Sequence, residues 1–334
     1  MRSSLPALLL FTALCGLAQA PSDPQYEGSL LPYSYNGGYL LTWEDSPHRQ
    51  VTLYGLDEKP AYSDPREGSQ GWGGLAWAVD SDGVVARAVS SYRPGHAPKN
   101  SAHIDLLDIT GKATSSIKTG SYEVRHIVFA PDHSLWTIGF EDDYERQNKD
   151  FDVIRHYTRS GELLGHSFPW SQITADFNAY TTLQSEPRQA FFAVANRLGY
   201  AVSLRYGRGA WIEIAPGGNV LGIYDLGKYR ELSYLPVAMT ESGTVYAKIS
   251  QFDKFAGWAM LDRQQGIWRK VQLPSKGTII GAKDENLIFL EHDTAWTVLH
   301  SLSPESMRLD ELITGQTSAT TVTNPLTNLI EPRR

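Results

Sequence analysis

One cysteine, Cys15, is all that 334 residues contain. It sits in an amino-terminal stretch with the pattern of a secretory signal peptide, residues 1–20. Met1-Arg2 is a short positive start, Leu5 to Leu17 is apolar, and small residues follow. The apolar run is too short to span a bilayer. Two cuts fit, after Ala18 or after Ala20, and the first avoids placing Pro21 directly beyond the cut. Either one removes Cys15. The exported chain is therefore expected to hold no disulfide, no thiolate metal site and no cysteine nucleophile. A lipid anchor on Cys15 would need a small residue before it, and Leu14 stands there. The expected location is periplasmic or secreted, without a lipid anchor.

Basic runs are missing too. The formal charge is −7, and losing Arg2 with the leader takes it to −8. That balance argues against a nucleic-acid partner. No second long apolar segment exists, so no transmembrane segment is expected in the mature chain. Three motifs of common chemistry are also absent: the Gly-x-Ser-x-Gly elbow, a phosphate-cradling Gly-rich loop with Lys, and His-Glu-x-x-His. These absences exclude those arrangements. They do not exclude a site assembled from distant segments.

What the chain has is repetition. Six times an apolar run, a polar turn and a second apolar run recur, at 31–41, 75–86, 126–138, 192–202, 237–247 and 279–290. Their turns carry Asn36-Gly37-Gly38, Asp80-Ser81-Asp82-Gly83, Pro131-Asp132-His133-Ser134, Asn196, Glu241-Ser242-Gly243 and Asp284-Glu285-Asn286. Asn, Asp and Gly tolerate the positive φ that tight reversals need. A second hairpin follows each first one, from 51–54 to 57–60, 104–107 to 110–112, 153–157 to 159–162, 211–214 to 216–219, 258–261 to 263–266 and 296–299 to 303–305. Several of these runs alternate apolar and polar residues, the period of a half-buried strand. Four strands per unit and six units of roughly 40 to 65 residues suit a radial array of small antiparallel sheets. One such sheet cannot bury both faces alone, so the set folds together.

The phrase Ile127-Val128-Phe129-Ala130-Pro131-Asp132-His133-Ser134-Leu135-Trp136 resembles the blade signature of NHL-type and TolB-like β-propellers, and Ile109-Thr110-Gly111-Lys112 resembles their outer hairpin. The resemblance implies an all-β, six-bladed β-propeller with four-stranded antiparallel blades. A seven-bladed ring with one degenerate unit is the alternative. It implies a fold and no particular activity. Residues 21–314 are expected to form the propeller and 315–334 an extended tail. In that tail Thr320-Thr321-Val322-Thr323 could latch the ring by pairing onto a blade. The longest connection, around Trp170 to Tyr180, is expected to form a short helix or a lid.

In a propeller the second strand of each blade ends beside the channel mouth. The residues there read Trp43-Glu44-Asp45, Tyr92-Arg93, Phe140-Glu141-Asp142-Asp143, Arg205-Tyr206, Phe252-Asp253-Lys254 and Glu291-His292-Asp293. Rings beside charges suit a protein segment or a glycan. The candidate mouth residues are Glu44, Asp45, Arg93, Glu141, Asp142, Asp253, Glu291 and His292. The expected function is a non-enzymatic binding scaffold. The alternative is a metal-assisted hydrolase or lactonase, with calcium the cation such oxygen donors would hold. Calcium-dependent lactonases share the six-bladed ring. Trp211, Trp258 and Trp296 recur at one position of three successive units and read as packing between blades.

Overall fold

The computed structural model of the chain describes residues 33–43, 50–55, 60–65, 76–89, 102–141, 151–169, 190–203, 208–228, 230–252, 254–273, 278–293, 296–302 and 308–312. Among them there are 24 strands and no helix. Every ladder is antiparallel.

The strands fall into consecutive groups, each ordered as in the sequence. The first holds β1 (Tyr33–Asn36), β2 (Tyr39–Trp43), β3 (Gln50–Tyr54) and β4 (Pro60–Pro65). The second holds β5 (Ala76–Val79), β6 (Val85–Val89), β7 (Ala102–Leu107) and β8 (Ala113–Gly120). The third holds β9 (Tyr122–Phe129), β10 (Leu135–Glu141), β11 (Asp152–Tyr157) and β12 (Leu163–Pro169). The fourth holds β13 (Phe191–Val194), β14 (Arg197–Ser203), β15 (Arg208–Ile214) and β16 (Val220–Lys228). The fifth holds β17 (Leu232–Met239), β18 (Val245–Gln251), β19 (Lys254–Asp262) and β20 (Ile267–Gln272), and a single pair, Gly227 with Ser233, joins it to the fourth. The sixth holds β21 (Thr278–Lys283), β22 (Asn286–Asp293) and β23 (Trp296–Leu302).

The last strand, β24 (Arg308–Leu312), departs from the expected pattern. It does not close a hairpin with β23 but pairs with β20 of the fifth group, through Arg269–Leu312 and Val271–Leu309. Strand edges of neighbouring groups offer the same ladder of amides, and local alternation does not say which edge a terminal strand joins. The expected helix or lid around Trp170, the tail 315–334 and its latch at Thr320–Thr323 lie outside the described residues.

Six turns share one geometry. Gly83, Gly111, His133, Gly161, Gly218 and Gly243 each donate a backbone N–H to the carbonyl three residues earlier. All six have positive φ, between 67° and 92°. Five are glycines, which adopt this conformation without strain. The sixth, His133, is held there by its own side chain, whose Nδ1 lies 3.0 Å from Asp80 Oδ2 of the second group.

Burial follows the junctions between groups. Leu41 and Leu53 pack with Trp77 and Val79 between the first and second. Ala78 and Ile104 meet Tyr122 and Phe129 between the second and third. Ile138 and Val153 meet Leu198 and Ile212 between the third and fourth. Trp211 and Tyr224 meet Met239 and Ala259 between the fourth and fifth, and Tyr246 and Trp258 meet Ile279 and Phe289 between the fifth and sixth. The sixth cluster joins Ile280 and Ile288 to Tyr33 and Leu40, that is, the last group to the first. Here Tyr33 Oη donates to the Ile279 carbonyl at 3.3 Å, and a Cβ on Gly281 would lie 2.7 Å from the Tyr35 ring. Trp211 and Trp258 thus sit at group junctions. The side chain of Trp296 lies outside the description.

Within the third group, His156 stacks on Trp136 with centroids 3.9 Å apart, and its Nε2 lies 2.6 Å from Ser134 Oγ. Burial holds this imidazole below its ordinary value of 6.5, against the opposing pull of Asp132. The unfolded chain therefore takes up this proton at a higher pH than the folded chain. The stabilisation is complete above pH 6.5 and declines as the pH falls toward the folded value. Urea titrations between pH 7.5 and 5.5 are expected to show wild-type stability falling across this window and a flatter profile for His156→Phe. Equal slopes would remove His156 as the cause.

Candidate functional site

The inner-hairpin turns and the outer-hairpin turns lie at one end of the strands, because neighbouring strands run antiparallel. The connections from β2 to β3, β6 to β7 and their counterparts leave from the other end, termed here the loop end. The cavity that the groups enclose has a volume of about 400 Å³ and is lined by the first strand of every group. Those first strands touch in series, β1 to β5, β9, β13, β17 and β21, and β21 touches β1 again.

Aromatic side chains contribute to the wall. Tyr33, Tyr35, Trp43, Trp77, Phe129, Phe191 and Phe192 all line it. Burial and the nearby charge of Asp284 push the Tyr35 hydroxyl up to about 12, so it is a neutral O–H near pH 7. Polar groups on the wall are Ser34, Asn36, Arg125 and His126, the last set edge-on to Phe191 at 6.5 Å. No Asp or Glu lines the cavity among the described residues.

Backbone geometry places some of this wall. The ladder slips at Ile138/Gly139 opposite β9, at Pro236/Ala238 in β17 and at Ile279/Gly281 in β21. The residues skipped are Arg125, Val237 and Ile280, and all three line the cavity. A bulge re-aims a side chain and tightens the local twist. Arg125 pairs with Glu123 at 2.9 Å, and its guanidinium lies 4.8 Å from the Phe140 ring. In addition, β1, β5, β9, β13 and β21 are end strands or lie at the end of their sheet. The sixth first strand, β17, is joined on that side only through Ser233. Among the described residues, then, the cavity is walled by six strand edges, each carrying amide donors and acceptors.

The candidate mouth residues fare differently. Glu44, Asp45, Arg93, Asp142 and Asp253 lie outside the described residues. Glu291 and His292 lie on β22, opposite Val298 and Thr297, and only their backbone is described. Glu141 ends β10 and is not part of the cavity wall. Its carboxylate is bound by Arg155, whose guanidinium in turn covers the Tyr122 ring at 4.0 Å. The cavity residues of β1, β5, β9 and β13 were not among the candidates from sequence. The candidates were chosen at the ends of second strands, whereas the wall is made mainly by the first strands, with Trp43 of β2 joining them.

At the turn end, one trio among the described residues could share a cation: Asp80, Asp82 and His133, with ligand atoms within 4.8 Å of one another. A guanidinium already lies across both carboxylates. Arg159 donates to both Asp82 oxygens at 2.7 Å and to Asp80 Oδ2. Its hydrogen bonds hold Asp82 below the usual carboxylate range. The trio is an ion-pair network joining the second and third groups.

No protein family matches the chain, and no curated protein does. Solved structures similar to it include one described as a "Putative exported protein" of Bacteroides fragilis NCTC 9343. That match is 9% identical over 78% of each chain, with a TM-score of 0.48. Another is the β-propeller domain of the Trilobed protease from Pyrococcus furiosus, 11% identical over 84% of each chain, with a TM-score of 0.43. No helix among the described residues is long and apolar enough to cross a membrane.

Proposed function

We propose that the chain is an exported six-bladed β-propeller whose central cavity is a non-enzymatic binding site for a protein segment or a glycan. The six apolar junctions, the last of them returning to the first group, support the blade count. The leader pattern of residues 1–20 supports export. The observation that carries the binding reading is the cavity itself. Its volume of about 400 Å³ falls in the range of ligand sites, and its wall combines aromatic side chains with polar groups.

The test is thermal unfolding of the mature protein against panels of oligosaccharides and extended peptides. A ligand that binds only the folded state raises apparent stability, by about 2.7 kcal/mol at a hundred times its Kd. At least one member is expected to raise the Tm of wild type and not that of Ala193→Phe, which fills the cavity from β13. Silence across both panels, or a rise that Ala193→Phe retains, counts against the cavity. A Tm raised by calcium and lost in Glu44→Gln or Glu291→Gln would instead favour the metal-assisted hydrolase.

A further inference from the structure

We propose that the ligand of this cavity is an acidic sugar, a pyranose ring bearing a carboxylate; the proposal rests on the binding-scaffold reading and narrows it. Charge comes first. Arg125 stands on the wall at a bulge, with its side chain 13% exposed, His126 beside it and no carboxylate among the described lining residues. The planar fork of a guanidinium matches a carboxylate. This one already holds a carboxylate, that of Glu123, at 2.9 Å. A ligand carboxylate would compete with Glu123 for the same cation.

Shape and hydrogen bonding choose the rest of the molecule. Tyr35, Trp43 and Phe192 line the cavity and are only partly buried, so they can set apolar ring surface against the C–H surface of a sugar ring. The six strand edges offer both N–H donors and C=O acceptors. A hydroxyl donates and accepts, so a polyol meets both kinds of group from several directions. A peptide strand pairs along one edge at a time. An aromatic acid without hydroxyls would cover these amides and leave them unmet, which carries a desolvation cost.

The experiment is isothermal titration of the mature protein with galacturonate, galactose and N-acetylphenylalanine. Galacturonate is expected to bind at least roughly tenfold tighter than galactose, the scale of a hydrogen bond to a charged group. That preference should shrink as KCl is added, because salt screens it. Arg125→Met is expected to abolish the preference while galactose affinity stays within about threefold. Glu123→Gln is expected to strengthen galacturonate binding alone, by freeing the guanidinium from its resident partner. The KCl series on wild type and the Glu123→Gln titration decide the matter even if Arg125→Met does not fold. Galactose binding as tightly as galacturonate, N-acetylphenylalanine binding tightest, or a preference that survives in Arg125→Met overturns the proposal. Other saccharides or peptides raising the Tm while galacturonate does not bind would sink the acidic-sugar assignment and leave the scaffold standing. An Ala193→Phe protein that responds to every ligand as wild type does would remove the scaffold as well.

Discussion

Glu213→Ala is expected to cost the fold about 3–5 kcal/mol, the scale for breaking a buried ion pair from one side. Glu213 lies on β15 and is fully buried. Its carboxylate accepts from Trp211 Nε1 at 3.0 Å and from Arg263 at 2.6 and 2.8 Å, and Arg197 completes the set. Arg197 belongs to the fourth group. Arg263 comes from the turn after β19 in the fifth and also donates to the Gly243 carbonyl. One carboxylate therefore ties two groups together. Its removal leaves the buried indole N–H without its acceptor and two guanidinium groups, 22% and 27% exposed, without their shared carboxylate. Urea unfolding monitored by tryptophan fluorescence measures the loss. A cost below about 1 kcal/mol, the scale of an exposed ion pair, would show that the network does not hold the junction. Arg263→Met should cost less, since Arg197 and Trp211 still engage the charge.

Beside it, Gly199→Ala is expected to cost about 3 kcal/mol or more, the upper range for overpacking a closed core. Gly199 faces Glu213 across the β14–β15 ladder. A Cβ there would fall 2.2 Å from Trp211 Cζ2 and 2.7 Å from Cη2. The indole cannot easily retreat, because it is fully buried and its Nε1 is committed to Glu213. In a Trp211→Phe background the added methyl meets a smaller ring, so the cost of Gly199→Ala should fall markedly. The two substitutions share one space and are not expected to add. Additive costs would mean that the collision is relieved elsewhere.

Much of the architecture was legible residue by residue. The six inner hairpins were found at their observed turns because turn chemistry is local: five of the six place Gly or a polar residue at a positive φ. His133 is instructive. As a sequence symbol it breaks the glycine pattern; in the fold it keeps the backbone conformation through a bond to Asp80, which lies 53 residues earlier. The place of β24 was not legible, since Arg308–Leu312 suits any free edge and only the packed groups choose β20.

The candidate site was legible only in its kind. Rings beside charges were anticipated at the mouth; Trp43, next to the candidates Glu44 and Asp45, is one of the residues that line the cavity. Acid was anticipated at the mouth, but the wall described here carries Arg125 and His126 and no carboxylate. Arg125 reaches the cavity because the ladder skips it, and Glu141 is held away by Arg155. Strand slips and cross-strand ion pairs have no signature in a single run of residues.

The order of residues by itself determined an all-β chain of paired antiparallel strands, because period and turn chemistry act over a few neighbours. Only the tertiary structure decided which six strand edges face one another across a cavity, and which charges stand on its wall. Those depend on contacts between residues far apart in the chain, such as Tyr33 with Ile279, that no local pattern encodes.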